Sequence, residues 1–77
     1  MSAHAWRVDT VIRTRDGSVI GIEVGKPILS YDKAREDFDA TFTALGPGHS
    51  VRLLRANFDL STMTFDWLMM REGWAGR

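Results

Sequence analysis

Polar and apolar residues alternate with period two from residue 6 to residue 14. Trp6, Val8, Thr10 and Ile12 fall on one side, and Arg7, Asp9, Val11 and Arg13 on the other. Alternation in residues of this type predicts a half-buried strand. Residues 18–24 predict a second strand, with Ile20, Ile22 and Val24 on one side. Arg15-Asp16-Gly17 between them is a hairpin signal. Facing selects the loop length. A two-residue Asp16-Gly17 turn would put Ile20 opposite Arg13 and Ile22 opposite Val11, on the polar side. A three-residue loop with Gly17 in the left-handed region pairs Ile12 with Ile20, Thr10 with Ile22 and Val8 with Val24. A one-residue slip turns every side chain over, so the face-consistent register is the expected one.

The period then changes. Gly25-Lys26-Pro27 ends the hairpin and Ser30 is placed to cap a helix, with Asp32 in its first turn. Tyr31, Ala34, Phe38, Phe42 and Leu45 recur at helical spacing and form one apolar stripe. Lys33–Asp37 and Arg35–Asp39 are candidate i,i+4 pairs. Gly46 suits the position just past the helix, and Pro47 blocks its continuation. Residues 49–58 predict a third strand with blurred alternation: Val51 and Leu53 on one face, Leu54, Ala56 and Phe58 on the other. Either a bulge shifts the facing or the strand is buried on both sides. In so small a chain the second alternative calls for a dimer or a covering partner.

Residues 59–74 admit two readings. With period two, Phe65, Trp67 and Met69 oppose Asp66, Leu68 and Met70, and residues 59–63 form a hairpin loop. With period 3.6, Leu60, Met63, Trp67, Met70 and Trp74 form a stripe. Thr, Phe and Trp directly after a strand and a short polar loop favour the strand. The expected fold class is therefore α+β: a small antiparallel sheet with one helix packed on one face, in the order ββαββ, with ββαβα as the alternative. A single domain spans residues 1–77, with a frayed tail from Gly73 to Arg77. The expected core is Trp6, Val8, Ile12, Ile20, Ile22, Val24, Phe38, Phe42 and Leu45.

Composition narrows the chemistry. The 77 residues are 44% hydrophobic, contain no Cys, and balance ten Lys and Arg against ten Asp and Glu. The chain is long enough for one core and too apolar for intrinsic disorder. Without Cys there is neither a disulfide framework nor a thiolate metal site, and the expected compartment is the cytoplasm. The N-terminal residues lack the apolar segment of a signal peptide, and no run approaches the length of a membrane span. His4 and His49 are 45 residues apart and share no metal-ligand spacing with any other His or Cys. Ser50 beside His49 on a strand points to the opposite face, so the two cannot act as a nucleophile and base. No catalytic residue, metal or cofactor is predicted.

Two surfaces remain. Arg7, Arg13 and Arg15 share one face and edge of the first hairpin, and one of Arg52 and Arg55 joins them if the third strand is a neighbour. Such a patch could contact phosphates, although no aromatic is expected on that face for base stacking. The second surface is the C-terminal cluster of Met63, Phe65, Trp67, Leu68, Met69, Met70 and Trp74. One helix cannot cover both faces of that segment, and exposed apolar patches mark interfaces.

Trp6-Arg7-Val8, the Arg15-Asp16-Gly17 hairpin, Tyr31 with Ala34, Gly48-His49-Ser50-Val51-Arg52-Leu53 and Phe58-Asp59 occur in an order that resembles small uncharacterised ββαββ proteins of bacteriophages and prophages. That resemblance implies a small protein that binds and modulates a host protein, anti-defence inhibitors such as anti-CRISPR proteins among them. It assigns no residue. The expected function is a non-enzymatic protein-interaction module, working with a protein partner or as a homodimer. Trp67, Met69, Met70, Trp74, Val11 and Arg13 are the candidate contacts. The alternative is nucleic-acid binding through Arg7, Arg13, Arg15, Arg52 and Arg55.

Overall fold

The computed structural model describes residues 5–75. Strands β1 (Trp6–Arg13) and β2 (Val19–Glu23) are followed by helix α1 (Tyr31–Ala44) and strands β3 (Ser50–Asp59) and β4 (Thr64–Trp74). All pairings are antiparallel and the sheet order is β2-β1-β3-β4. The helix packs on β1 and β3. The fold is the expected ββαββ, and residues 64–74 are a strand rather than a helix.

The first hairpin closes through the three-residue loop. The Thr14 amide donates to the Ser18 carbonyl at 2.8 Å, and Gly17 sits at φ 93°. Arg13 then opposes Val19. One step later the expected register fails. Ile20 is an extra residue on β2, so Ile12 meets Gly21, Val11 meets Ile22 and Thr10 meets Glu23. The bulge turns Ile22 to the face away from the helix. Ile20, Ile22 and Val24 are exposed, not core. Nothing enforces their expected facing, because β2 is an edge strand beyond the reach of the helix, and register is weakly specified where no face is buried.

After β2 the chain returns to β1. Trp6 and Ile28 exchange backbone hydrogen bonds of 2.8 and 2.7 Å. Gly25 makes this approach possible, since a Cβ there would lie 2.2 Å from the Val8 carbonyl oxygen.

The helix begins as expected. The Ser30 hydroxyl accepts from the Lys33 amide and Asp32 lies in the first turn. Its end differs. Leu45 is the C-cap in extended conformation, and Gly46 is not left-handed. The left-handed glycine is Gly48, at φ 83°, and the His49 amide donates to the Gly46 carbonyl at 3.2 Å. Pro47 and Gly48 thus occupy the central positions of a type II-like turn, where proline's fixed φ and glycine's positive φ both fit. The candidate helix ion pairs are not formed. The ion pairs among the described residues are Arg7–Asp9 and Arg52–Glu72, both in the sheet.

Under the helix the core is Val8, Ala34, Phe38, Val51 and Leu53, with Trp6, Ile28 and Leu45 packed around it. Phe42 is 40% exposed and lies at the margin rather than in the core. Trp6 meets Tyr31 edge to face at 5.6 Å.

β3 is buried on both sides over its first half, and this needs no second molecule. Val51 and Leu53 face the helix, while Ser50 and Leu54 are buried on the other face within the single chain. A bulge also exists, but it lies on β4. Leu53 opposes Arg71 and Leu54 opposes Met69, leaving Met70 as the extra residue. β4 runs on through Gly73 and Trp74, where the sequence suggests a tail, and the Ala75 amide donates to the His49 carbonyl at 3.0 Å. Residues 76 and 77 of that tail, and the side chain of Phe65, lie outside what is described.

Candidate functional site: the face away from the helix

Strand pairing decides which side chains share the uncovered face. Arg7, Asp9, Val11 and Arg13 of β1 stand beside Leu54, Arg52 and Ser50 of β3. Across β3 lie Trp67, Met69, Glu72 and Trp74 of β4. Arg52 therefore joins the arginine face. Arg55 does not, because it pairs with Trp6 on the helix side. Arg15 lies in the hairpin loop, exposed to solvent.

This face is not bare. Arg7 reaches over β3 and places its guanidinium 4.7 Å from the centre of the Trp67 ring. Arg13 stands 4.1 Å over Trp74. Arg52 donates to Glu72 at 2.8 Å, and the Trp74 indole N–H donates to the other Glu72 oxygen at 2.9 Å. Long side chains laid flat in this way cover apolar surface with their stems and ring faces. Val11 and Ser50 are fully buried and Leu54 is 9% exposed. Two corrections follow. The arginine face does carry aromatics, Trp67 and Trp74, because β4 lies beside β3. Val11 is sealed, so it is withdrawn as a contact residue. Its position on the polar side of β1 hid this, since the residues that cover it come from the far end of the chain.

The charges on the face are mostly spent internally. Asp9, 4% exposed, accepts two hydrogen bonds from Arg7, at 2.8 and 2.7 Å, and one from the Gly25 amide at 3.1 Å. Arg52 is neutralised by Glu72. The Arg52 hydrogen bond, then that of Trp74, and then the charges of Arg52 and Arg13 hold the Glu72 carboxyl below its ordinary value. Arg13 and Arg15 make no ion pair among the described residues.

No match is found among protein-family models, curated proteins or solved structures.

The remaining sequence candidates separate. His4 lies outside the described residues. The ring of His49 accepts the Arg13 backbone N–H at Nδ1, 3.0 Å away, and so ties the end of β1 to the turn before β3. Among the described residues no three His, Cys, Asp or Glu side chains converge as a metal site would need. No helix is long and apolar enough to cross a membrane.

The apolar contact candidates lie along the sheet's rim. Met69, Met70 and Trp74 are 57%, 54% and 51% exposed, and Trp67 is half-buried beneath Arg7. Two further apolar surfaces escaped the sequence reading. One is the β2 edge, where Val19, Ile20, Ile22 and Val24 are all exposed. The other is the tip of the β3–β4 hairpin. Its pairing continues from Asn57–Asp66 to Asp59–Thr64, past the last β1 partner, and Phe58 and Leu60 are exposed there beside Met63, which the sequence assigns to the C-terminal cluster. The signal was present in Leu60-Ser61-Thr62-Met63, a loop with two large apolar side chains and no core to receive them.

Proposed function

We propose that this chain is a non-enzymatic protein-interaction module that binds through the apolar rim of its sheet, with homodimerisation as the plainest form. One observation carries the reading. Fourteen large apolar side chains are exposed among the described residues, against seven buried apolar ones, and eleven of them gather on the β2 edge, on β4 and on the projecting hairpin. Exposed apolar groups on this scale favour association. An edge strand such as β2, with no Lys or Pro among its five residues, also offers an unpaired backbone for strand addition. The resemblance to bacteriophage and prophage proteins makes a host protein the natural partner beyond a second copy, and modulation of that protein the natural outcome.

The test is light scattering across a concentration series, together with a tagged pull-down in the presence and absence of nuclease. Ile22→Lys and Met69→Asp place charges on two exposed rim positions. The expected result is loss of the dimer or of a near-stoichiometric partner, with circular dichroism unchanged. Wild-type protein that stays monomeric and recovers nothing defeats the proposal.

The nucleic-acid reading draws support from one observation, the stacking of Arg7 on Trp67 and of Arg13 on Trp74. It requires an affinity that falls steeply with salt and recovery that nuclease abolishes.

A further inference from the structure

The unpaired positive charge of the uncovered face is concentrated in one place. Arg13 and Arg15 both line a concave pocket at the end of the sheet, with Thr14 and Gly17 of the first hairpin, Pro47, Gly48 and His49 of the turn before β3, and Trp74 and Ala75. Arg7 and Arg52 form ion pairs with carboxylates; Arg13 and Arg15 form none among the described residues, although the charge of Arg13 is felt by Glu72. Arg13 is held rigidly: its ring partner is Trp74, and its Nη1 donates to the Gly17 carbonyl at 3.2 Å. Its terminal nitrogens remain available at the pocket, since only Nη1 is engaged, and that by a single carbonyl. Arg15 makes no hydrogen bond or ion pair among the described residues. The one acid beside them in sequence, Asp16, does not line the pocket. Its carboxylate accepts from the Thr14 hydroxyl and, at 3.0 Å, from the Ser18 amide, so it is turned into its own loop. The Trp74 ring also lines the pocket, half-exposed, with Arg13 over one of its faces.

The geometry points to a nucleotide site in this pocket: Arg13 and Arg15 hold a phosphate while the face of the Trp74 indole that Arg13 leaves open receives the base. Guanidinium groups match phosphate oxygens in pairs, and an exposed indole stacks on any base. This goes beyond the interaction reading and does not depend on it. The ligand could be a free nucleotide or the terminal nucleotide of a single strand, since both present the same chemistry.

The experiment is a titration of the full chain followed by amide and indole NMR shifts. The probes are adenosine 5′-monophosphate, adenosine, inorganic phosphate and a 5′-phosphorylated oligothymidylate. Saturable shifts confined to Gly17, Gly48, His49 and the Trp74 indole are expected with the monophosphate. Adenosine should bind about tenfold more weakly because it cannot engage the guanidinium groups. Inorganic phosphate should compete with the monophosphate. Arg15→Glu, an exposed loop substitution that leaves the fold intact, should weaken the monophosphate by at least about tenfold. An oligonucleotide that binds much tighter than the monophosphate identifies a strand as the source, and equal binding identifies the free nucleotide. The proposal is overturned by an absence of saturable shifts up to about 10 mM. Shifts that survive Arg15→Glu, or that spread equally to Arg7 and Arg52, overturn it too.

Discussion

The two faces of this sheet are sealed by different means. Under the helix, Val8, Val51, Leu53, Ala34 and Phe38 pack as a small apolar core. On the other face the described residues supply no second layer of backbone. Val11, Ser50, Leu54 and Asp9 are buried beneath side chains that the sheet itself supplies, through the Arg7–Trp67, Arg13–Trp74 and Arg52–Glu72 contacts. A helix buries apolar area cooperatively. A cover of arginine and tryptophan depends on geometry and charge pairing, and each contact is worth less. The difference teaches that a four-stranded, one-helix domain can hide both faces without a partner, and that its rim is what remains to be covered.

The largest expected effect comes from the helix side. Phe38 is 2% exposed and fills the space between α1 and the sheet. Phe38→Ala removes that area and leaves a cavity, at a cost of about 3–5 kcal/mol. In a domain whose total stability is on the order of 5–10 kcal/mol this brings the protein close to unfolding at ambient temperature. Thermal and urea melts followed by circular dichroism report it. A loss smaller than that of any open-face substitution would reverse the comparison.

Asp9 tests whether the other face also has a structural centre. Its carboxylate satisfies Arg7 twice and the Gly25 amide once. Asp9→Ala strands a guanidinium whose side chain is only 19% exposed, and leaves a backbone N–H without its acceptor. Breaking a buried pair from one side costs about 3 kcal/mol at the lower end of its range. The double variant Arg7→Ala/Asp9→Ala should recover part of the loss, because nothing charged is left unpaired. Equal losses in the single and double variants would mean that the pair is not what Asp9 contributes.

Gly25 joins the two sides, since it lies against the Val8 backbone and donates to Asp9. Gly25→Ala puts a methyl group 2.2 Å from the Val8 carbonyl oxygen, which is backbone and cannot swing aside. Overpacking of this kind costs about 1–3 kcal/mol. Chemical shifts in the variant should move along residues 6–9 and 24–28 and leave the β3–β4 tip unchanged.

The contrast between the faces also explains what could be read from the chain. The helix side was legible, because burial enforces periodicity: the Ala34–Phe38 stripe, the Ser30 cap and the strand alternation of β1 all survive in the structure. The three-residue loop of the first hairpin came out as expected, but the pairing of Ile12 with Ile20 and Thr10 with Ile22 that selected it did not. The facing of β2 was not legible, because an edge strand with no cover can insert Ile20 without burying anything wrongly. The sealing of Val11 was not legible either, since it requires β4 to come to lie two strands away. Of the candidate surfaces, strand adjacency placed one of Arg52 and Arg55 beside Arg7 and Arg13, and the register decided that it is Arg52. The convergence of Arg13, Arg15 and Trp74 on one pocket depended on the sheet order, which no local pattern encodes.

The smallest effect should separate the faces by their response to pH. Glu72 accepts from Arg52 and from the Trp74 indole, and these bonds lower its carboxyl from an ordinary value of 4.5. A carboxyl depressed in the folded state adds stability that is fully present above its unfolded value and is lost as pH falls through its folded value. Glu72 is partly exposed, with 22% of its side chain open to solvent, so the pair falls among those worth about 0.5 kcal/mol. Glu72→Gln should lower the melting temperature by about 3 °C at neutral pH. The gap should close as the wild-type protein is acidified below the unfolded carboxyl value. The helix-side variant Phe38→Ala carries no titrating group, so its deficit should hold across the same range. If the Glu72→Gln deficit stays constant from neutral to acid, the contribution of Glu72 is packing and hydrogen-bond geometry rather than charge. The open face would then be sealed by the same physics as the helix side.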